Sequence, residues 1–132
     1  LEPFSNPFSE TGVFPNAKKP RIIWIGFKYL QELVDLKNII ETTSSKLGYQ
    51  TEERSFSPHI TLGRVGENFS PLNIQKILSD LSALDIASID PVIINSIKIF
   101  KSDLKSKGPE YTIIHSIPFM GKNSKEEKTK YA

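Results

Sequence analysis

The spacing of apolar residues changes repeatedly along this chain, and each change predicts a new element. Residues 1–20 carry Pro3, Pro7, Pro15 and Pro20 with Asn6, Gly12 and Asn16 between them, which excludes a helix and predicts extended or looping chain. Arg21-Ile22-Ile23-Trp24-Ile25-Gly26-Phe27 is a β-branched and aromatic run, the pattern of a buried strand. Leu30, Leu33, Val34, Leu36, Lys37 and Ile40 then follow a helical period, with Leu47-Gly48 as its stop. Arg54 to Val65 contains a second strand. Ser70 is placed to cap a second helix that has Pro71 in its first turn and Ile74, Ile77, Leu78 and Leu81 as its apolar stripe. Val92 to Lys101 predicts a third strand with Ile93, Asn95, Ile97 and Ile99 on one face, and Glu110 to Phe119 a fourth. Lys105-Ser106-Lys107-Gly108-Pro109 reads as the hairpin connection between them. The polar, Lys-rich stretch from Gly121 to Ala132 is expected to be a mobile tail. The order strand–helix–strand–helix–strand–strand predicts an α+β domain with helices on one face of a largely antiparallel sheet. That order alone fits many folds.

Composition narrows the function more by exclusion than by indication. The 132 residues are one domain's worth of chain, with an ordinary 38% hydrophobic and 24% charged content. A net charge of +2 does not give the footprint of a binder of long duplex nucleic acid, but it leaves a modest preference for anionic partners. The absence of cysteine excludes disulfides, thiolate metal sites and cysteine nucleophiles, and with only two histidines a structural zinc site is not expected. No apolar run reaches membrane-spanning length. The start at Leu1-Glu2-Pro3-Phe4 has neither a signal pattern nor an initiator Met, which suggests a processed, truncated or internal piece. The default expectation is a soluble cytoplasmic protein without membrane contact. No internal repeat is evident.

The candidate chemistry lies in Ser57-Pro58-His59-Ile60-Thr61-Leu62-Gly63-Arg64, which holds the one His-x-Thr of the chain. On a strand His59 and Thr61 project together, while Ile60 and Leu62 project the other way. An imidazole, which ordinarily titrates near neutral pH, then stands beside a hydroxyl that can donate or accept a hydrogen bond. That pairing suits acid–base work on a phosphate ester. A reaction needing both an acid and a base would call for a second such pair, which the chain lacks. Taken alone, the tripeptide is better read as a half-buried strand histidine satisfied by a carbonyl next to an ordinary strand threonine, because short motifs recur by chance.

The surrounding blocks change that reading. Gly12-Val13-Phe14-Pro15-Asn16, Pro20 to Gly26, Phe56 to Arg64, and Ser102-x-Leu104-x-x-x-Gly108-Pro109-x-Tyr111 occur in this order. Together they closely resemble the C-terminal two-thirds of the bacterial and archaeal RNA 2′,3′-cyclic phosphodiesterases, also called 2′-5′ RNA ligases. These LigT-like proteins belong to the two-histidine phosphoesterase superfamily. The resemblance covers roughly residues 12 to 119, so residues 1–120 are taken as the LigT-like region. It implies a bilobal fold with an antiparallel sheet in each lobe, and one His-x-Thr from each lobe in a central cleft. It also implies His59 as one member of the catalytic pair and Thr61 as its phosphate-binding companion.

The family's first His-x-Thr would lie some tens of residues upstream of Gly12, where this chain has eleven residues. The chain therefore resembles a family member without its N-terminal third. The implied reaction opens 2′,3′-cyclic phosphate ends of RNA, or small cyclic nucleotides, to 2′-phosphates, with 2′-5′ joining of tRNA-like fragments in reverse. The family needs no metal or other cofactor. With one histidine this chain alone is expected to be impaired, and the alternative is a non-catalytic half-site that binds phosphate or RNA ends. Strand edges left open by a missing segment would recruit a second copy of the chain.

Other residues divide between functional and ordinary readings. Arg64 either pairs with a phosphate through its planar fork or makes a surface salt bridge. Phe56 either stacks on a base or packs a loop. Trp24 and Tyr111 read as core residues, and Lys18, Lys19 and Arg21 as a solvated basic surface. His115 is not assigned to catalysis, because Ile117 stands where a companion Thr would be needed.

Overall fold

A computed structural model describes residues 1–121, so the expected tail lies, from residue 122 on, outside the described residues. The elements in chain order are β1 (Phe4–Asn6), β2 (Phe8–Phe14), β3 (Ile22–Phe27), α1 (Gln31–Lys46), β4 (His59–Arg64), α2 (Pro71–Ser82), a single 3-10 turn (Ile86–Ser88), β5 (Val92–Ile94), β6 (Ser96–Lys105) and β7 (Gly108–Pro118). The fold is α+β, with antiparallel sheets and two helices. The chain divides into two units, one formed by Asn6–Val92 and the other by Leu1–Ser5 with the chain from Ile93 on.

In the larger unit β3 is the centre of a three-stranded sheet, antiparallel to β2 on one side and to β4 on the other. The run Ile22-Ile23-Trp24-Ile25 explains the central place, since β-branched and aromatic residues suit a strand covered on both faces. β2 lies within the proline-rich start that the sequence reads as extended or looping chain. Pro7 and Pro15 bracket it rather than interrupt it, so every residue between them can join the ladder.

Register fixes two faces. Phe14, Gly12, Ile22, Trp24 and Gly26 share one, because Gly12 pairs with Trp24 and Phe14 with Ile22. Val13 and Ile23, also paired, share the other. On this second face Val13 and Ile23, with Val65, meet Ile74, Ile77 and Leu78 of α2, the stripe expected from the sequence. The helix begins as its sequence predicts, with Ser70 Oγ accepting from Asn73 N at 3.2 Å and Pro71 next to it. α1 contributes Leu36, 6% exposed, and the sheet contributes Ile25, also 6% exposed, to the core. α1 stops at Leu47 and Gly48, whose φ of 95° is a left-handed backbone that glycine adopts without strain.

In the smaller unit β6 and β7 form an antiparallel hairpin, tightly closed where Lys105 faces Gly108. Both strands run further into the turn than the sequence suggests, and the φ of 118° at Gly108 is what allows the short connection. The expected single strand from Val92 to Lys101 is broken at Asn95. There the carbonyl accepts from Phe119 N at 2.8 Å instead of continuing a ladder, and β5 pairs with β1 while β6 pairs with β7. Ile93 therefore belongs to a different sheet from Ile97 and Ile99, not to one shared face. Among the described residues no helix is long and apolar enough to cross a membrane.

Candidate active site

The face of β3 that carries Ile22, Trp24 and Gly26 continues onto β4. His59 pairs with Gly26 and Thr61 with Trp24, so the two side chains stand together as alternation predicts. Beyond Thr61 the register slips: Gly63 pairs with Ile23 and Arg64 with Ile22, leaving Leu62 as the extra residue of a β-bulge. Simple alternation would turn Arg64 away from His59, and it would place Leu62 beside Ile60. The bulge instead returns Arg64 to the face that holds His59 and Thr61.

His59 is exposed, not half-buried, but its ring is held. Nδ1 lies 2.6 Å from the Ser57 carbonyl oxygen. A carbonyl only accepts, so Nδ1 carries the proton and the neutral ring keeps its lone pair on Nε2. Phe14 meets the imidazole edge-on at 5.3 Å between centroids, and Trp24 stands at 6.3 Å and 60°. Trp24 is itself stacked on Phe14 at 5.1 Å and spreads over Gly12. An imidazole so oriented can take a proton at Nε2 or, once charged, give one. Thr61 and Arg64 are both exposed, and among the described residues neither side chain has a hydrogen-bond or ion-pair partner. The surface salt bridge considered for Arg64 is therefore not made among them.

Phe56 stands 41% exposed just before the motif. It lines one hollow with Leu33, Leu36 and Ile40 of α1, and another with His59, so it serves packing and also faces the site. The second hollow, about 550 Å³, includes three residues that sequence reasoning did not connect with His59: Lys37, Glu52 and Arg54. Lys37 carried a weak signal, a lysine inside the apolar stripe of α1. Arg54 Nε is 3.1 Å from Glu52 Oε1, and that hydrogen bond holds the Glu52 carboxyl below its usual range and the guanidinium above its own.

The remaining candidates lie elsewhere. His115 belongs to the smaller unit, where it is exposed on β7 opposite Ile99. Tyr111 is not a core residue; it is 62% exposed, with its ring edge-on to Phe100. The N–H groups of Lys18 and Lys19 both donate to Asn16 Oδ1 at 3.0 Å, forming an exposed turn. Among the described residues no cluster of three or more His, Asp or Glu side chains is grouped to hold a metal ion.

Comparison with known proteins places this geometry in context. Residues 28–111 match the family model described as LigT like Phosphoesterase. The chain is 30% identical over 111 residues to the RNA 2′,3′-cyclic phosphodiesterase of Methanothermobacter thermautotrophicus, an alignment covering 84% of this chain and 58% of the relative. Identity to the protein of the same name from Methanocaldococcus jannaschii is 31% over 114 residues, covering 86% and 63%. For the one from Thermotoga maritima it is 31% over 118 residues, covering 89% and 59%. The chain thus spans only 58–63% of the length of these relatives. The fold matches the crystal structure of the Thermus thermophilus protein TT0787 with a TM-score of 0.58 at 23% identity, over 92% of this chain and 63% of that one.

Proposed function

This chain belongs to the LigT-like phosphoesterase family, and on that premise we propose that it carries one half of a two-histidine site acting on RNA 2′,3′-cyclic phosphates. The observation that supports this most is the His59 imidazole, with Nδ1 tied to the Ser57 carbonyl and Nε2 without a hydrogen-bond partner among the described residues, on the face that also presents Thr61 and Arg64. Opening the ring forms a bond from water oxygen to phosphorus and breaks the bond from phosphorus to O3′. The water gives up a proton to a base, O3′ takes one from an acid, and the phosphate stays on O2′. His59 fills one of these two roles through Nε2. Thr61 Oγ1 and the Arg64 fork bear on the non-bridging oxygens, where negative charge grows. Phe56 borders the ribose and base. With a 5′-hydroxyl in place of water, the same exchange leaves a 2′-5′ linkage.

One positioned acid or base contributes about 10²–10⁴ in rate. The chain should therefore hydrolyse 2′,3′-cyclic AMP slower, by about that factor, than the Thermotoga maritima phosphodiesterase assayed in parallel. His59→Ala should remove the remaining turnover. Equal turnover of the chain and its His59→Ala form would refute the assignment. A second reading is favoured by the larger unit's having a single histidine: a half-site that binds RNA ends without converting them. It predicts 2′-AMP binding by calorimetry, weakened by Thr61→Ala, with no turnover at all. We further propose that the outer edge of β4, which no described strand covers, pairs with a second copy of the chain.

A further inference from the structure

We propose that the larger unit holds a site for an organic cation: a cavity between α1 and the strands β2 and β3 takes an alkylammonium group between aromatic walls and the Glu10 carboxylate. The cavity measures about 440 Å³, within the range of small-ligand clefts, and His59 is not among its lining residues. Four aromatic side chains border it, Trp24, Phe27, Tyr29 and Phe56, and Glu10 is its one charged residue.

Local irregularities of the chain assemble this lining. Phe8 pairs with Phe27 and Thr11 with Ile25, so Ser9 and Glu10 stand together opposite Gly26 as a β-bulge. The bulge brings both of them to the cavity wall. Gly26 leaves the floor bare, since a Cβ there would lie 3.3 Å from Ser9 Oγ and 3.1 Å from Trp24 Cζ3. Tyr29 is 74% exposed but held in place. Its hydroxyl donates to Gln31 Oε1 at 2.8 Å, and Gln31 Nε2 donates to Asp35 Oδ1 at 2.8 Å.

An aromatic face carries negative potential and attracts a cation within about 6 Å of the ring centroid. Trp24 has one face taken by Phe14, and Phe27 has one taken by Phe8. Tyr29 and Phe56 have no ring partner among the described residues. Glu10 forms no ion pair among the described residues either. Rings alone would accept any apolar ligand, and the carboxylate decides for a positive one. The same carboxylate repels a phosphate, so this cavity does not suit a nucleotide. An alkylammonium group, free or on a lysine side chain, spreads its charge over methyl and methylene groups that also fill the space between rings.

Titration of the intact 132-residue chain, followed by the emission of its one tryptophan, tests this with choline and its neutral isostere 3,3-dimethylbutanol. Choline should bind about tenfold more tightly, and Glu10→Gln should cut that ratio to about threefold. Tyr29→Leu keeps apolar bulk and removes a π-face, so it should weaken choline about threefold while leaving dimethylbutanol nearly unchanged. Both positions are exposed, so neither substitution threatens the fold. Equal affinities for the two ligands in the unaltered chain, or a ratio that neither substitution changes, would overturn the site. A peptide bearing trimethyllysine distinguishes the two sources of the cation. Binding tighter than that of choline, lost in Glu10→Gln, upholds the cage and assigns it to a protein side chain. Weaker binding leaves the cage to a free cation.

Discussion

Trp24 keeps its place because Gly12 has no side chain. A Cβ on Gly12 would lie 2.7 Å from Trp24 Cε2 and 2.6 Å from Cη2, closer than any real contact allows. Gly12→Ala therefore forces the indole off the sheet at a cost of about 1–3 kcal/mol, and it withdraws the ring that flanks His59. Urea unfolding followed by tryptophan emission measures this directly, since Trp24 is the chain's one tryptophan. Unaltered stability and emission would show that the ring is not seated as described. The glycine was visible in the sequence, but its reason was not: the clash involves a residue on the neighbouring strand, and only pairing brings them together. His59 and Thr61 needed no such help. Their two-residue spacing on a strand decides that they share a face wherever the strand lies.

Arg64 owes its position to a whole strand rather than to its own sequence. It stands an odd number of positions beyond His59, a spacing that alternation sends to the opposite face, and the bulge at Leu62 reverses that. Arg64→Ala should weaken 2′-AMP binding about 10- to 100-fold, the loss of charge-assisted hydrogen bonds to phosphate. Adding Gly63→Arg to that variant should not restore it, because residue 63 pairs with Ile23 on the α2 side. Calorimetry on the single and double variants checks both statements, and binding restored in the double variant would contradict the register. The helices show the opposite relation between sequence and element. Ser70-Pro71 at the start of α2 and Leu47-Gly48 at the end of α1 are local signals, and local hydrogen bonds satisfy them. β2 escaped notice because prolines mark where a ladder cannot form, and not whether the stretch between two of them will form one.

At the scale of the molecule, much apolar surface is left uncovered among the described residues. On the β6–β7 ribbon Phe100, Ile113 and Ile114 are all more than half exposed, and a two-stranded ribbon alone in water is marginal. No described strand covers the outer edge of β4 either, and Ile60 and Leu62 are exposed along it. Sedimentation velocity should show self-association that grows with concentration and weakens when Ile60 is changed to Lys on that edge. A monomer at every concentration would refute pairing through β4. The amino-acid sequence by itself determined the stop of α1, the start of α2, the strand bearing the His-x-Thr and the family, because each rests on short-range pattern or on the order of blocks. Tertiary structure decided the break at Asn95, the return of Arg64 to the His59 face, and the meeting of Lys37 and Phe56 beside the imidazole. Each of those depends on which strand or helix lies opposite, and hydrogen-bond partners distant in sequence leave no local trace.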